Sequence, residues 1–324
     1  MKYNKLGRTD LLVSEIGFGV LTVGHNQLDL PVDKGSEVLK YALKNGINFL
    51  DTAEYYETYP YIKKALDDLK AENSDIKPII CSKSLGSTRS DMTNAINNGL
   101  QELGIDYFDI FLMHEVRHND SIEMRRGAFE ALKEAQESGK VKYIGISTHH
   151  VDVAKEAAMI DELDVLFPLI NLEGLGIRDG ANAGAKEDME DAIALNSKMG
   201  KGVFLMKIFG GGNLVSRYQE ALNYGKSVKG SSSMMIGFGS TEEVDKAVSF
   251  SDGTLPSDYA PNLTNKKITI DQGDCEMCMS CIKKCPNNAI YIDDGGGLNV
   301  NHDNCLTCGY CAPVCPTRAL IFIG

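Results

Sequence analysis

Two twelve-residue runs of one form dominate the end of the chain: CEMCMSCIKKCP at 275–286 and CLTCGYCAPVCP at 305–316. A loop with thiolates at every third residue can wrap three corners of an iron–sulfur cube while a fourth ligand arrives from elsewhere. Eight of the nine cysteines lie in these runs: Cys275, Cys278, Cys281, Cys285, Cys305, Cys308, Cys311 and Cys315. A disulfide framework would need an oxidising compartment, and the opening MKYNKLGRTDLLVSEIG lacks the apolar stretch of an export signal. Zinc also binds C-x-x-C pairs, but two four-cysteine runs each closed by Cys-Pro, at Pro286 and Pro316, match cluster binding better. Two [4Fe-4S] clusters are expected.

Short apolar segments (ITI, AIYID, LNV, ALIFI) flank the runs, and CPNNAIYID and CPTRALIFI echo each other as an internal repeat. From Lys266 to Gly324 the chain resembles a bacterial two-[4Fe-4S] ferredoxin, a small α+β fold. The resemblance implies crossed ligation. Cys275, Cys278 and Cys281 would share one cluster with Cys315, and Cys305, Cys308 and Cys311 the other with Cys285.

Upstream, short β-rich apolar runs alternate with segments of helical period. The strand candidates are VSEIGFGVL, INFLDTA, PIICSKS, YFDIFLMH, KYIGIST, VLFPLIN, GVFLMKIFG and SSMMIGFG. Eight such units in about 250 residues is the size of a TIM (β/α)8 barrel. A doubly wound open sheet is the alternative, but no G-x-G-x-x-G follows the first strand. The expected organisation is an α/β barrel over 1–252, a Pro- and Gly-containing linker over 253–265, and the iron–sulfur domain over 266–324.

Barrel chemistry sits where strands end and loops begin. Polar residues at those points are Asp51 and Tyr56 after the second strand, Lys83 after the third, His114 after the fourth and Ser147 after the fifth. The segments DTAEYY, CSKS, FLMH and YIGIS, with the opening YNKLGRTDLLVSEIGFG and the later MMIGFGSTEEVDKAV, resemble the aldo-keto reductases. That resemblance implies Tyr56 as proton donor to a carbonyl oxygen, Lys83 beside it and paired with Asp51, and His114 orienting the substrate. A neighbouring ammonium would lower the phenol's pKa. Cys81 is expected to pack inside the barrel, and His118, His149, His150 and His302 to serve solvent or capping roles. Glu115 reads equally as an exposed loop carboxylate or as a residue shaping a polar pocket.

The resemblance also implies a nicotinamide cofactor, held by Ser147 and Thr148 at its carboxamide and by two glycine loops, Gly210, Gly211 and Gly212 after the seventh strand and Gly237 to Ser240 after the eighth. Thr148 replaces the family's usual Asn, and Phe167 or Pro168 its Gln. Ala247 stands at the adenine-binding Asn, and Glu242, Glu243 and Asp245 where a 2'-phosphate would want a cation. NAD(H) is therefore expected rather than NADP(H).

Net charge is -12 and no cationic run tracks phosphates, so nucleic acid is not an expected partner. No 18 apolar residues run together, so a cytoplasmic protein without a membrane span is expected. The leading reading is an oxidoreductase interconverting a small-molecule carbonyl and alcohol, coupled through both clusters to an external ferredoxin or other redox partner. The alternatives are an ordinary NADH-dependent carbonyl reductase with a docking module, and an electron carrier whose barrel is not catalytic.

Overall fold

A computed structural model of the chain describes residues 1–118, 120–261 and 267–323. The parallel strands β1 (Ile16–Gly19), β2 (Phe49–Asp51), β3 (Ile79–Ser84), β4 (Phe108–Met113), β5 (Val141–Thr148), β6 (Val165–Pro168), β7 (Gly202–Leu205) and β8 (Ser233–Ile236) close into one barrel. Each is followed by a helix: α1 (Val32–Lys44), α2 (Tyr59–Ala71), α3 (Arg89–Leu103), α4 (Arg126–Glu137), α5 (Val151–Ala158), α6 (Lys186–Lys198), α7 (Tyr218–Ser227) and α8 (Thr241–Asp252). β8 pairs with β1 in parallel, Met234 opposite Ile16, which closes the ring.

The strands read as continuous apolar runs because both faces are covered. One face packs against the helices through residues such as Leu50, Ile80, Phe111, Ile144 and Val203. The other fills the barrel: Phe49, Cys81, Ile110, Leu112, Val165, Phe167 and Phe204 pack with Leu6, Leu11 and Val13 of an N-terminal hairpin (Tyr3–Lys5 with Leu12–Ser14). That hairpin plugs the bottom. Helix ends carry local signals too: Thr88 and Asp91 form a capping box at the start of α3, and left-handed Gly104 ends it.

The module begins with β9 (Lys267–Ile270), whose antiparallel partner is the final strand β12 (Leu320–Ile323); β10 (Ile290–Ile292) pairs with β11 (Leu298–Val300), and a short α9 (Ser280–Lys284) lies between β9 and β10. Every strand expected in this part is present. Residues 262–265 of the expected linker, Lys266 and Gly324 lie outside the described residues. The described part of the linker turns at Gly253 and climbs the barrel wall. Gln219 donates to the Pro256 carbonyl at 2.5 Å, and Tyr259 packs edge-on against Tyr218 at 5.4 Å between ring centroids. This route delivers the module to the mouth where β1 to β8 end.

Phe204 is fully buried at the centre of the barrel, stacked on Phe167 at 4.2 Å and edge-on to Phe49 at 5.0 Å. Phe204→Ala should destabilise the barrel by about 3–5 kcal/mol, read as a lower urea midpoint by far-ultraviolet circular dichroism. An unchanged midpoint would show that this aromatic layer is not part of the barrel's core.

Candidate active site

Asp51 ends β2, Lys83 lies in the last turn of β3, and both side chains are buried. The Lys83 ammonium donates to both Asp51 oxygens, at 2.7 and 2.8 Å, and to the Thr52 carbonyl at 2.8 Å. All three N–H groups of the ammonium therefore have acceptors. Lys83 acts on its neighbours through charge: its Nζ lies 4.7 Å from the centre of the Tyr56 ring. Tyr56 ends a short 3-10 turn, Glu54–Tyr56, and its hydroxyl lies 3.4 Å from His114 Nε2. The four residues expected to carry the chemistry thus meet at one point of the mouth.

Their protonation differs in part from expectation. The Tyr56 phenol is pushed well up, first by burial and then by the carboxylates of Asp51, Asp271, Asp274 and Glu115. A phenol lowered by Lys83 is not what the surroundings produce, because two of those carboxylates belong to the module seated above it. Burial and the Lys83 cation hold His114 well below the usual imidazole range, so it is neutral. Its Nδ1 is buried with no hydrogen-bond partner among the described residues. The loop carrying His114 is fixed by the buried Arg125, which donates to the carbonyls of His114, Ser84 and Gly86 at 2.8, 3.2 and 3.1 Å.

The turn Asp271–Cys275, which leads from β9 into the first cysteine run, lies directly on this mouth. Lys207, after β7, is ion-paired with Asp274, and Arg117, after β4, donates to the Gly273 carbonyl at 2.6 Å while pairing with Glu115. His149 Nδ1 lies 3.5 Å from Asp274. Lys207 and Glu115 both hold left-handed backbone, φ 57° and 54°, a conformation that costs a non-glycine residue about 1–3 kcal/mol. Burial, followed by the Asp274 charge, pushes the Glu115 carboxyl up to about 8, while the Lys207 cation, against burial, draws Asp274 below the usual carboxylate range.

Two sequence expectations need correction here. His149 is neither solvated nor a cap: it is buried at the junction and driven down to about 3 by desolvation. Glu115 is not an exposed loop carboxylate, since it lies between Arg117 and the module. Glu115, His149 and Asp274 bring ligand atoms within 4.8 Å of one another, but Lys207 and Arg117 already supply the positive charge there. Among the other histidines, exposed His118 pairs with Asp152 at 2.5 Å, and Cys81 packs inside the barrel as expected.

The residues expected to hold a nicotinamide are engaged elsewhere. The Ser147 hydroxyl accepts the Glu115 N–H at 2.8 Å; the Thr148 hydroxyl donates to the Val116 carbonyl at 2.7 Å and accepts from the His150 N–H at 3.0 Å. In the loop Gly210–Gly212, the Gly211 carbonyl accepts the Phe322 N–H of β12 at 2.8 Å, and a Cβ on Gly212 would fall 2.1 Å from the Phe322 carbonyl oxygen. Gly237 is set against Thr22, and Ser240 caps α8. Of the carboxylates in that unit, Glu243 accepts the Gly239 N–H at 2.7 Å and Asp245 the Tyr41 hydroxyl at 2.8 Å.

In the module, Cys275, Cys278, Cys281 and Cys315 line one cavity and Cys285, Cys305, Cys308 and Cys311 another, the crossed arrangement expected. Among the described residues no three of these thiols come within 4.8 Å of one another. Ligands of a single tetrahedral zinc at 2.3 Å would stand about 3.8 Å apart, so the sets are spaced for a larger object. The loops repeat in backbone as well as in sequence: Met277 and Thr307, Met279 and Gly309, and Asn288 and Arg318 all take positive φ at matching distances from the cysteines. Such left-handed residues turn successive N–H groups inward, as anion-binding nests do. The residues fit [4Fe-4S] clusters.

The sequence profile of the Aldo/keto reductase family matches residues 15–252. The chain belongs to the aldo/keto reductase family. A 4Fe-4S dicluster domain profile matches residues 256–319. Among curated relatives, a probable aldo-keto reductase 1 of Glycine max is 34% identical over 168 residues, 48% of this chain and 47% of that protein. An uncharacterised oxidoreductase of Bacillus subtilis is 29% identical over 168 residues, 48% of this chain and 52% of its own. The chain thus spans about half the length of the curated relatives it matches. An aldo-keto reductase from Bacillus halodurans superposes with a TM-score of 0.61 at 20% identity, covering 81% of this chain and 93% of that one. One of Bombyx mori in complex with NADP superposes at 0.59 and 15% identity, covering 80% and 89%. These structures share the aldo/keto reductase barrel. Among the described residues no helix is long and apolar enough to cross a membrane.

Two complete ligand sets predict about eight irons and eight acid-labile sulfides per chain. Stoichiometric zinc without sulfide would contradict the assignment. Cys278→Ser should lower the iron content to about four per chain while the barrel's far-ultraviolet signal persists.

Proposed function

We propose that this aldo/keto reductase interconverts a small-molecule carbonyl and alcohol at Tyr56 and exchanges the electrons through the iron–sulfur module. The observation that carries the reading is the seat of the Asp271–Cys275 turn on the mouth, with Arg117 donating to Gly273 and Lys207 paired with Asp274, one residue from the ligand Cys275. The two sets of cysteines would hold the clusters, which when bound carry one electron each.

The chain's own groups do the rest. A carbonyl oxygen placed between the Tyr56 hydroxyl and His114 Nε2 receives a proton from the phenol as charge develops on it, a contribution of the order of 10^2 to 10^4 in rate for a positioned acid. Neutral His114 can donate a hydrogen bond from Nε2 without bringing a second charge. Lys83, fixed by Asp51 and Thr52, supplies positive charge beside the alkoxide that forms. The module covers the mouth from above. The natural exchange partner of such a chain is an external ferredoxin or similar redox carrier, and the reading places it in the cytoplasm. In the barrel's eighth unit the Glu242, Glu243 and Asp245 carboxylates stand against a 2'-phosphate, so NADH suits it better than NADPH.

Tyr56→Phe should lower kcat by about 10^2- to 10^4-fold with little change in KM; unchanged turnover would remove Tyr56 from the reaction. Because the folded phenol lies above its ordinary value, its protonated, proton-donating form persists through neutral and mildly alkaline pH. Reductive kcat should therefore show no fall assignable to Tyr56 between about pH 6 and 9. A loss of rate with an apparent pKa near 7 that disappears in Tyr56→Phe would contradict this. The coupling is tested anaerobically with a panel of aldehydes, ketones and secondary alcohols: the visible absorbance of the clusters should change at the rate of turnover. Turnover with unchanging cluster absorbance would leave the module outside the reaction.

A further inference from the structure

Solved barrels of this fold include chains in complex with NADP or NADPH. A dinucleotide serving Tyr56 and His114 would have to lie across the mouth, with phosphates on the loops after β7 and β8, where barrels of this class commonly bind them. We infer that in this chain the iron–sulfur module occupies the dinucleotide's seat, so that the barrel works without a nicotinamide and is reduced by a one-electron carrier. The inference deepens the proposed function and, in its electron source, rests on it.

Each part of the seat is taken by something else. After β7, a phosphate would need exposed backbone of the glycine loop, yet Gly211 receives the Phe322 N–H at 2.8 Å and Gly212 has no side chain because the Phe322 carbonyl stands where its Cβ would be. Lys207, the cation at the end of the same strand, is held by Asp274. After β6, the Cβ position of Gly176 lies 3.5 Å from both Arg318 Cβ and the Thr317 carbonyl oxygen, so the module also covers this side. After β8, the N-terminal turn of α8 is capped by Ser240, and the Glu243 carboxylate takes the Gly239 N–H at 2.7 Å. An incoming phosphate would find the donor used and a like charge in its place. On β5 the Ser147 and Thr148 hydroxyls are joined to the backbone of the flanking loops.

The Asp274 carboxylate, with those of Asp51 and Asp271 also near Tyr56, adds negative charge that disfavours a pyrophosphate. Among the described residues Lys207, Arg117 and Lys83 oppose it there, and all three are paired. Reduction of a carbonyl then takes two electrons from two equivalents of a ferredoxin-class carrier and two protons. One proton passes from the Tyr56 hydroxyl to oxygen and the other from water to carbon, giving the alcohol, and two solvent protons then restore the phenol and neutralise the hydroxide left.

The test is a titration of NADH and NADPH into the anaerobic full-length holoprotein, with iron and sulfide measured on the same sample. Nucleotide fluorescence reads binding, and amide hydrogen exchange over residues 207–214 and 318–323 reads the seat. No saturable binding up to about 1 mM, with exchange in both segments unchanged, is the expected result. Saturable binding below that concentration, or exchange in either segment altered by nucleotide, overturns the inference. The cluster response to carbonyls and alcohols is recorded alongside. A protein that binds NADH while its clusters respond to substrate overturns this inference and leaves the proposed function standing. One that neither binds nucleotide nor responds to substrate keeps the module in the seat and removes the proposed coupling.

Discussion

The arrangement of the whole chain depends on one ion pair between its two parts, Lys207 with Asp274. Asp274 is 5% exposed and adjoins Cys275, while Lys207 follows β7 at the edge of the barrel interior. Removing one partner of such a buried pair typically costs about 3–5 kcal/mol, because the other charge is left without compensation. The pair therefore does more to fix where the module sits than to add net stability. Around it, Arg117 ties Gly273 to the loop after β4, and the Phe322 N–H ties β12 to the loop after β7. The module is pinned over the site from several sides at once.

That placement changes the chemistry beneath it. In an open barrel mouth Tyr56 would face water, with Lys83 as its dominant charged neighbour. Here burial and the nearby carboxylates dominate, and the phenol holds its proton more tightly. Lys83 has its ammonium fully committed to Asp51 and Thr52, so its influence is electrostatic and fixed. The phenol therefore stays in its protonated form, as a weaker acid than a free tyrosine.

Most of the architecture was legible in the residues because it rests on local pattern. Apolar runs buried on both faces marked every barrel strand, and Asp51, Tyr56, Lys83 and His114 were readable because each ends such a run with a polar group. The crossed cysteine sets were implied by the resemblance to two-cluster ferredoxins. What could not be read was the junction. Lys207, Arg117, His149, Asp271 and Asp274 belong to no motif, and their meeting depends on how a linker climbs the barrel wall. His149 appeared to be one of several loop histidines, and only the module's approach buries it. The only local hints are the left-handed backbones at Glu115 and Lys207, which no side-chain type announces. The glycine loop after β7 is read from the sequence as a phosphate cradle, and in the structure Phe322 of the same chain lies against it.

The linker has a consequence of a different kind. Gly253 reverses the chain, and Pro256 and Tyr259 fasten it to α7, so the module follows the barrel on a short tether. Tethers of this length hold their two ends at effective concentrations in the millimolar range. A separate ferredoxin would have to be abundant, or to bind tightly, to visit the mouth as often, and tight binding would slow its exchange with other donors. Joining the two in one chain removes that conflict. Residence at the mouth becomes independent of how much carrier is present, and under the proposed function the outer face of the module would trade electrons through brief, weak encounters.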